Sequence, residues 1–246
     1  MNNENFNTAA RMAAYTAMSG VVIGLTGTAL WAASGTDLDL ALANGDLSTY
    51  LIAAGEARNL LIANLTIWIV MVLLIGMAGT LLADLCVKRP LIAKLAKFSF
   101  RTSVPLVIVA YVAWLTIVVQ IAPSASPEAI FMAEVMGWFA SRADWIATIL
   151  ILGTGPALVS LAGRGDWVPT WLARWGVVAL FAALLNAFAM LTGGAGLSTY
   201  GFIIIPVGMG WVLAAGIVAL RRSKVTQHSE QAIDTHHLSG KEAISS

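Results

Sequence analysis

The sequence is poor in charge, cysteine and histidine, and each shortage excludes a class of protein. Charged residues make up only 11% of the 246-residue chain, against about a quarter in soluble domains, which excludes an ordinary soluble domain. The single cysteine, Cys86, cannot form an internal disulfide. All three histidines, His228, His236 and His237, lie in the C-terminal tail. This placement argues against a haem held inside a helix bundle, because such a haem needs axial ligands on facing helices.

Signals for catalysis and for nucleic-acid binding are missing as well. The chain has no Gly-x-Ser-x-Gly, no His-Glu-x-x-His and no phosphate-binding loop. Its formal net charge is only +1, which gives no reason to expect a nucleic acid as partner. We therefore predict that the chain is not an enzyme, has no cofactor or metal site and binds no nucleic acid.

The sequence does contain long apolar stretches, and hydrophobic residues make up 59% of it. A helix needs about 20 apolar residues to cross a bilayer. Six stretches of about this length predict an all-α transmembrane bundle, with spans at 13–33, 60–85, 104–121, 145–162, 175–191 and 200–220. The bundle is predicted to occupy residues 1–222, followed by a polar, disordered tail at 223–246. We expect the first span to be retained, because it is longer than a typical signal-peptide core and only Arg11 precedes it.

Charge alternates along the connections between these spans. Twelve of the 14 lysines and arginines lie near the termini or in the second and fourth connections, whereas the other three connections hold only Arg58 and Arg142. Cytoplasmic segments of membrane proteins keep an excess of Lys and Arg. The pattern predicts a multi-pass protein of a bacterial inner (plasma) membrane with both termini in the cytoplasm. The first, third and fifth connections also hold seven of the 13 acidic residues: Asp37, Asp39, Asp46, Glu56, Glu128, Glu134 and Asp144.

Three connections have a character of their own. Segment 34–58 is acidic and rich in Ala and Leu, which favours a short helix at the membrane surface. Segment 127–141 is largely apolar, which indicates an interfacial helix leading into the fourth span. The basic run 88–101 either contacts anionic lipid or serves as an ordinary cytoplasmic anchor, and we favour the anchor.

Polar residues near the outer ends of the spans, together with interruptions inside the spans, form the candidate site. They predict either a vestibule that attracts protons or cations, or charges that merely mark helix ends and hold loops. An amide inside the fifth span is interpreted as helix-to-helix glue, and interrupted helices line the binding sites of some transporters. The candidates are Glu56, Arg58, Glu134, Arg142, Asp144, Asn186 and Pro206.

Small and aromatic residues predict how the helices pack. Gly20 and Gly24 form a G-x-x-x-G pattern on the first span, which permits close packing either within the bundle or between two copies of the chain. Most tryptophans fall near predicted membrane interfaces and indicate an aromatic belt. The belt is predicted to contain Trp31, Trp138, Trp145, Trp167, Trp171 and Trp175.

Two regions carry a family resemblance. One is the acidic connection ending in Glu56-Ala57-Arg58, which runs directly into the long second span; the other is segment 173–186 with segment 205–216 and the closing Arg221-Arg222. In these regions, roughly a third of the chain, the sequence resembles the uncharacterised bacterial six-span membrane proteins grouped as a domain of unknown function, the DUF4386-like proteins. The resemblance implies six spans and assigns no activity and no site residues.

Two functions remain open at this point. The first is a non-enzymatic membrane protein that acts by packing against the lipid bilayer, a membrane-protein partner or a second copy of itself. The alternative is a transporter or channel for a small or amphiphilic solute that enters through the acidic outer mouth.

Overall fold

The computed structural model describes residues 3–192, 201 and 203–223 of the chain. The described residues are 90% helical and contain no strand. Six helices are long and apolar enough to cross a membrane, which indicates a multi-pass membrane protein. The predicted all-α, six-span architecture is thereby confirmed. Residues 224–246, which include the three histidines and nearly all of the predicted disordered tail, lie outside the described residues.

The described helices comprise the six spans and two short surface helices. They are α1 (Asn3–Ser34), α2 (Leu38–Asn44), α3 (Leu47–Glu56), α4 (Arg58–Asp84), α5 (Pro90–Thr116), α6 (Pro127–Thr148), α7 (Gly155–Gly163), α8 (Thr170–Thr192) and α9 (Ile203–Ser223). The α6 helix continues through a π-helical turn into α7, so these two helices form one span. We call the end of the bundle that carries residues 34–58 and 121–144 the acidic end, and the opposite end, with residues 84–101 and 163–174, the basic end.

Segment 88–101, predicted as a connection, is mostly the beginning of α5. Pro90 occupies the first turn of the helix, where its missing N–H costs nothing. Ala93, Ala96 and Phe100 are buried at helical spacing, while Lys94 and Arg101 remain exposed. Hydropathy alone predicts a start at residue 104, which is too late for α5. The charged residues in the first, amphipathic part of this helix lower its average hydropathy.

The span formed by α6 and α7 lies at the centre of the bundle. Of its most apolar window, 61% is buried inside the protein, against 28–39% for the other five spans. A π-helical turn at Ile149–Thr154 joins its two halves. Pro156 follows directly and has no N–H to donate to the carbonyl of Leu152. The wider turn therefore falls where a regular α-helix cannot continue.

The G-x-x-x-G face of α1 packs inside the bundle. A Cβ atom added to Gly20 would lie 2.7 Å from the Ile75 side chain of α4. One added to Gly24 would lie 2.7 Å from the Met71 sulfur and 2.9 Å from the methyl group of Met209 in α9. A hydrogen bond of 2.8 Å from Asn64 Nδ2 to the carbonyl of Gly27 also joins α4 to α1. The sequence left open whether Gly20 and Gly24 pack within the bundle or between two copies of the chain. The structure shows them packed within the bundle.

Two of the tryptophans predicted for the aromatic belt are buried among the helices. Trp145 and Trp167 are only 6% and 1% exposed. Their indole N–H groups bond to protein acceptors, Trp167 to the sulfur of Cys86 at 3.3 Å and Trp145 to Asp39. Because a partner for the N–H is available inside the bundle, these side chains do not need the membrane–water interface.

Candidate functional site: a buried acidic cluster

Helix α2 brings a carboxylate over the centre of the bundle at the acidic end. The helix begins at Asp37, whose side chain accepts a 3.0 Å hydrogen bond from the backbone N–H of Leu40, and it ends at Gly45 with φ of 70°. Leu38 and Leu42 are buried and pack against Gly137 of α6, where a Cβ atom would lie only 3.2 Å from Leu42. This docking places Asp39, in the first turn of α2, against α6.

Asp39 meets one face of α6. The indole Nε1 of Trp145 donates a 2.8 Å hydrogen bond to Asp39 Oδ2. Ser141, one helical turn earlier, lies beside the same carboxylate, and its buried hydroxyl has no hydrogen-bond partner of normal geometry among the described residues. Positions 141 and 145 share a face because residues four apart are neighbours on a helix.

A second carboxylate, Asp144, lies next to the first. It stands three residues after Ser141 on α6, where it interacts electrostatically with Asp39 and with the hydroxyl of Tyr111 from α5. The Oδ1 atom of Asp144 is buried and has no hydrogen-bond partner within the described part of the chain. We call Asp39, Tyr111, Ser141, Arg142, Asp144 and Trp145 the acidic cluster.

The environment of the acidic cluster disfavours ionisation of Asp39. Burial raises the pKa of the Asp39 carboxyl above its ordinary value of 3.8, and the nearby charge of Asp37 adds to this effect. Ser141, Trp145 and Arg142 act in the opposite direction without cancelling it. Burial likewise raises the pKa of the neighbouring Tyr50, whose hydroxyl accepts a 2.7 Å hydrogen bond from Trp114 Nε1. Asp39 can therefore hold a proton at a higher pH than an exposed aspartate can.

Arg142 supplies positive charge to the acidic cluster. Its guanidinium group lies 4.6 Å from the ring centroid of Trp138, one turn earlier on α6, in a cation–π contact. Its Nη1 atom is buried and has no hydrogen-bond partner among the described residues. Arg142 therefore offers an unused donor near Asp39, with whose carboxylate its charge interacts.

The structure brings together two of the seven residues that the sequence predicts for the site, Arg142 and Asp144. Glu56 and Glu134 are exposed, and Arg58, also exposed, donates a 3.2 Å hydrogen bond to the carbonyl of Val119. Asn186 and Pro206 lie on other spans.

Asn186 and Pro206 differ in their surroundings. Asn186 is fully buried in α8, and neither its Oδ1 nor its Nδ2 atom has a partner among the described residues. The hydrogen bond to another helix that was predicted for Asn186 is therefore not seen in this part of the chain. Pro206 is exposed and lies near the described start of α9.

An open groove of about 320 Å³ also lies at the acidic end, between the end of α5 and the start of α6. Its lining combines the polar side chains of Gln120, Ser124 and Glu128 with Met132 and Met136. None of the seven predicted residues lines this groove.

Sequence reasoning missed Asp39, Tyr111 and Ser141 as site residues. Asp39 counts only as one of seven acids in the outer connections, and Tyr111 lies in an apolar span without a distinguishing neighbour. The available signal was the helical spacing of Ser141, Asp144 and Trp145, which places three polar groups on one stripe of α6.

No family model matches the chain, and neither a curated protein nor a solved structure is significantly similar to it. The fold and the acidic cluster therefore define the class, a six-span helical membrane protein.

Proposed function

We propose that the chain is a non-enzymatic protein of a bacterial inner membrane that takes up a proton, or another small cation, at the acidic cluster as the first step of transport. In this proposal both termini lie in the cytoplasm, and the acidic end faces the outside of the cell. The observation that carries it is the interaction of two half-buried carboxylates, Asp39 and Asp144, in which the enclosed Oδ1 atom of Asp144 has no partner among the described residues.

Electrostatics favours a positively charged ligand. Two interacting carboxylates in a desolvated site cannot both carry full charge at low cost, so one of them tends to take up a proton or to pair with a cation. Among the described residues, Arg142 is the one basic side chain whose charge acts on Asp39, and it also contacts the ring of Trp138. The hydroxyls of Ser141 and Tyr111 are further oxygen ligands of the kind that protons and small hard cations accept.

The competing function, packing against a protein partner or a second copy, has less support. The glycine face expected to serve it, Gly20 and Gly24, is covered by α4 and α9 of the same chain. Proton uptake also needs no large cavity, which suits a cluster whose Asp144 Oδ1 and Arg142 Nη1 atoms are enclosed by neighbouring helices.

Proton flux into proteoliposomes tests this function. The purified protein is reconstituted with a pH-sensitive dye inside the vesicles, the outside is acidified, and potassium with valinomycin prevents charge build-up. We expect the wild-type protein to acidify the interior faster than protein-free vesicles do. Asp144→Asn should remove most of that difference, because the amide keeps the shape of the side chain but cannot ionise.

Asp46→Asn is the matched control. Asp46 is an exposed carboxylate at the same end of the bundle, and its side chain makes no capping hydrogen bond to α3. This variant should conduct like the wild type. Equal flux through wild-type and Asp144→Asn proteins, or no flux above empty vesicles, would refute the proposal, provided that both variants elute and melt like the wild type.

A further inference from the structure

We propose that a groove on the outer surface of the bundle, between α4 and α5 near the basic end, binds one molecule of an anionic phospholipid. The groove has a volume of about 330 Å³ and opens toward the surroundings of the bundle. Its lining includes Gly76, Thr80, Phe100, Arg101, Val104 and Pro105. This groove shares no lining residue with the acidic cluster, and its proposed ligand does not depend on the proposed transport function.

The apolar part of the groove forms where Gly76 of α4, which has no side chain, faces Val104 of α5. A Cβ atom added to Gly76 would collide with a methyl group of Val104, so the two helices are close enough there to leave only a shallow slot. Thr80 also lines the groove, and its hydroxyl donates a 2.8 Å hydrogen bond to the carbonyl of Gly76 in the same helix, so this polar group is already satisfied. The surface left is apolar and suits an acyl chain.

The mouth of the groove is polar and positively charged. Arg101 is exposed and has no hydrogen-bond or ion-pair partner among the described residues. Lys94 and Lys97 stand seven and four residues earlier on α5, which places them on the same side of the helix as Arg101. Lys97 is already paired with Asp84 and Lys94 does not line the groove, so Arg101 is the cation placed to meet a phosphate.

Pro105 adds a hydrogen-bond acceptor at the same place. It lies inside α5 and has no N–H to donate to the carbonyl of Arg101, four residues earlier. An unsatisfied carbonyl is costly in a lipid environment, and a hydroxyl or ammonium group of a lipid headgroup can satisfy it. Arginine for the phosphate, and a carbonyl deprived of its usual helical donor, thus lie beside an apolar slot.

The depth of the groove matches a lipid in the leaflet at the basic end. Gly76 precedes Asp84, the last residue of α4, by eight residues, or about 12 Å at 1.5 Å per residue. The exposed side chains of Leu91, Leu95 and Phe98 form an apolar row on the first turns of α5, as expected of a segment that lies at the level of the headgroups. The polar mouth therefore lies at headgroup level and the slot within the hydrocarbon.

Native mass spectrometry of the full-length protein in mild detergent tests the site. The protein is titrated with phosphatidylglycerol and, separately, with phosphatidylcholine carrying the same acyl chains. We expect one phosphatidylglycerol to bind more tightly than phosphatidylcholine does. Arg101→Gln should weaken that binding about fivefold, as expected for the loss of one basic residue near a phosphate. Thr80→Phe, which fills the slot without breaking a contact between helices, should weaken it as well.

Arg174→Gln is the matched control, because Arg174 is an exposed arginine at the basic end on a different helix, α8. It should bind phosphatidylglycerol like the wild type. Equal binding of the two lipids, or equal weakening by Arg101→Gln and Arg174→Gln, would show diffuse charge attraction and overturn the proposal. Loss of binding in Arg101→Gln but not in Thr80→Phe would also overturn it, because the slot would then hold no acyl chain.

Discussion

Tryptophan N–H groups supply hydrogen bonds to several of the enclosed acceptors in this bundle. Trp145 donates to Asp39, Trp114 to Tyr50, and Trp211 to the carbonyl of Leu172 at 3.1 Å. An acceptor shut away from water costs free energy unless it finds a donor, and an indole provides one without adding charge. At Asp39 the donor also favours the ionised carboxylate, so Trp145 partly offsets the effect of burial.

Asp39 should make the stability of the protein depend on pH. Since its pKa is raised in the folded state above 3.8, the folded chain binds this proton more tightly than the unfolded chain does, and stability is lost as pH rises through the folded pKa. Asp39→Asn cannot ionise and keeps an oxygen for Trp145. Its melting temperature in detergent should therefore be at least equal to that of the wild type at about pH 8, with the advantage shrinking toward about pH 4.

Asp39→Ala is the control for this experiment. It removes the acceptor of Trp145 and should cost about 1–3 kcal/mol at either pH, as expected when a buried donor loses its partner. Identical melting curves for the Asn and Ala variants at high pH would contradict the assigned role of Asp39.

At the scale of helices, glycines decide which spans approach closely. The ring of Phe100 is fully buried between Gly79 of α4 and Gly155 of α7, where an added Cβ atom would collide with it. Three spans therefore meet at one aromatic ring of α5. Protein interiors are packed too densely to absorb an extra methyl group at such a point.

Gly79→Ala should lower the stability of the bundle by about 1–3 kcal/mol, the usual cost of overpacking. Phe100→Leu in the same chain should recover part of the loss, because a smaller side chain makes room for the methyl group. Gly20→Ala serves as the comparison, since the nearest atom to its Cβ would be the terminal methyl carbon of Ile75 at 2.7 Å and no aromatic ring lies against it. Thermal melting of these three variants beside the wild type checks this, and equal losses for Gly79→Ala and Gly20→Ala would contradict the role of Phe100 as the point where the spans are most tightly packed.

Helix boundaries show what hydropathy can and cannot predict. The number of spans follows from apolar length, because each span must satisfy its own backbone in lipid. The early start of α5 at Pro90 cannot be predicted in this way. Lys94 and Lys97 lower the average hydropathy of this segment, although the segment forms an amphipathic helix with one apolar face. The two helices within segment 34–58 agree with the expectation of helix there, which rests on its Ala and Leu content.

At the scale of the whole molecule, the acidic cluster depends on contacts between distant parts of the chain. Asp39 and Trp145 are 106 residues apart and meet only because α2 folds over α6. Arg142 and Asp144 were within reach of sequence analysis because both lie near the start of a span. Asp39 was not, since nothing in the local pattern of a surface helix tells which side faces the bundle.

The orientation of the bundle can be tested by labelling introduced cysteines with maleimides, because the native Cys86 should not react. Cys86 is buried, burial raises its pKa to about 12, and Trp167 donates a hydrogen bond to its sulfur. Roughly one such thiol in 10,000 is ionised at about pH 8, so the wild-type protein should remain unlabelled by maleimides.

Against that background, a cysteine at Asn44 should react with an impermeant maleimide on intact cells, whereas one at Lys94 should react only after the cells are opened. Both positions are exposed, at the acidic and the basic end respectively. The expectation rests on the excess of Lys and Arg in cytoplasmic segments. The opposite labelling pattern would place the termini outside the cell.

The span from Pro127 to Gly163 is much longer than a membrane is thick. Its 37 residues extend about 55 Å, and even a tilt of about 40° leaves about 42 Å for a hydrocarbon layer of about 30 Å. The excess carries Phe131, Met132 and Phe139 on its exposed side, apolar groups that gain from any extra lipid depth. Asp144 lies on this same span and interacts with Asp39 of α2. We therefore expect a change in bilayer thickness, which alters the tilt of a span that is too long, to alter the separation of the two carboxylates as well.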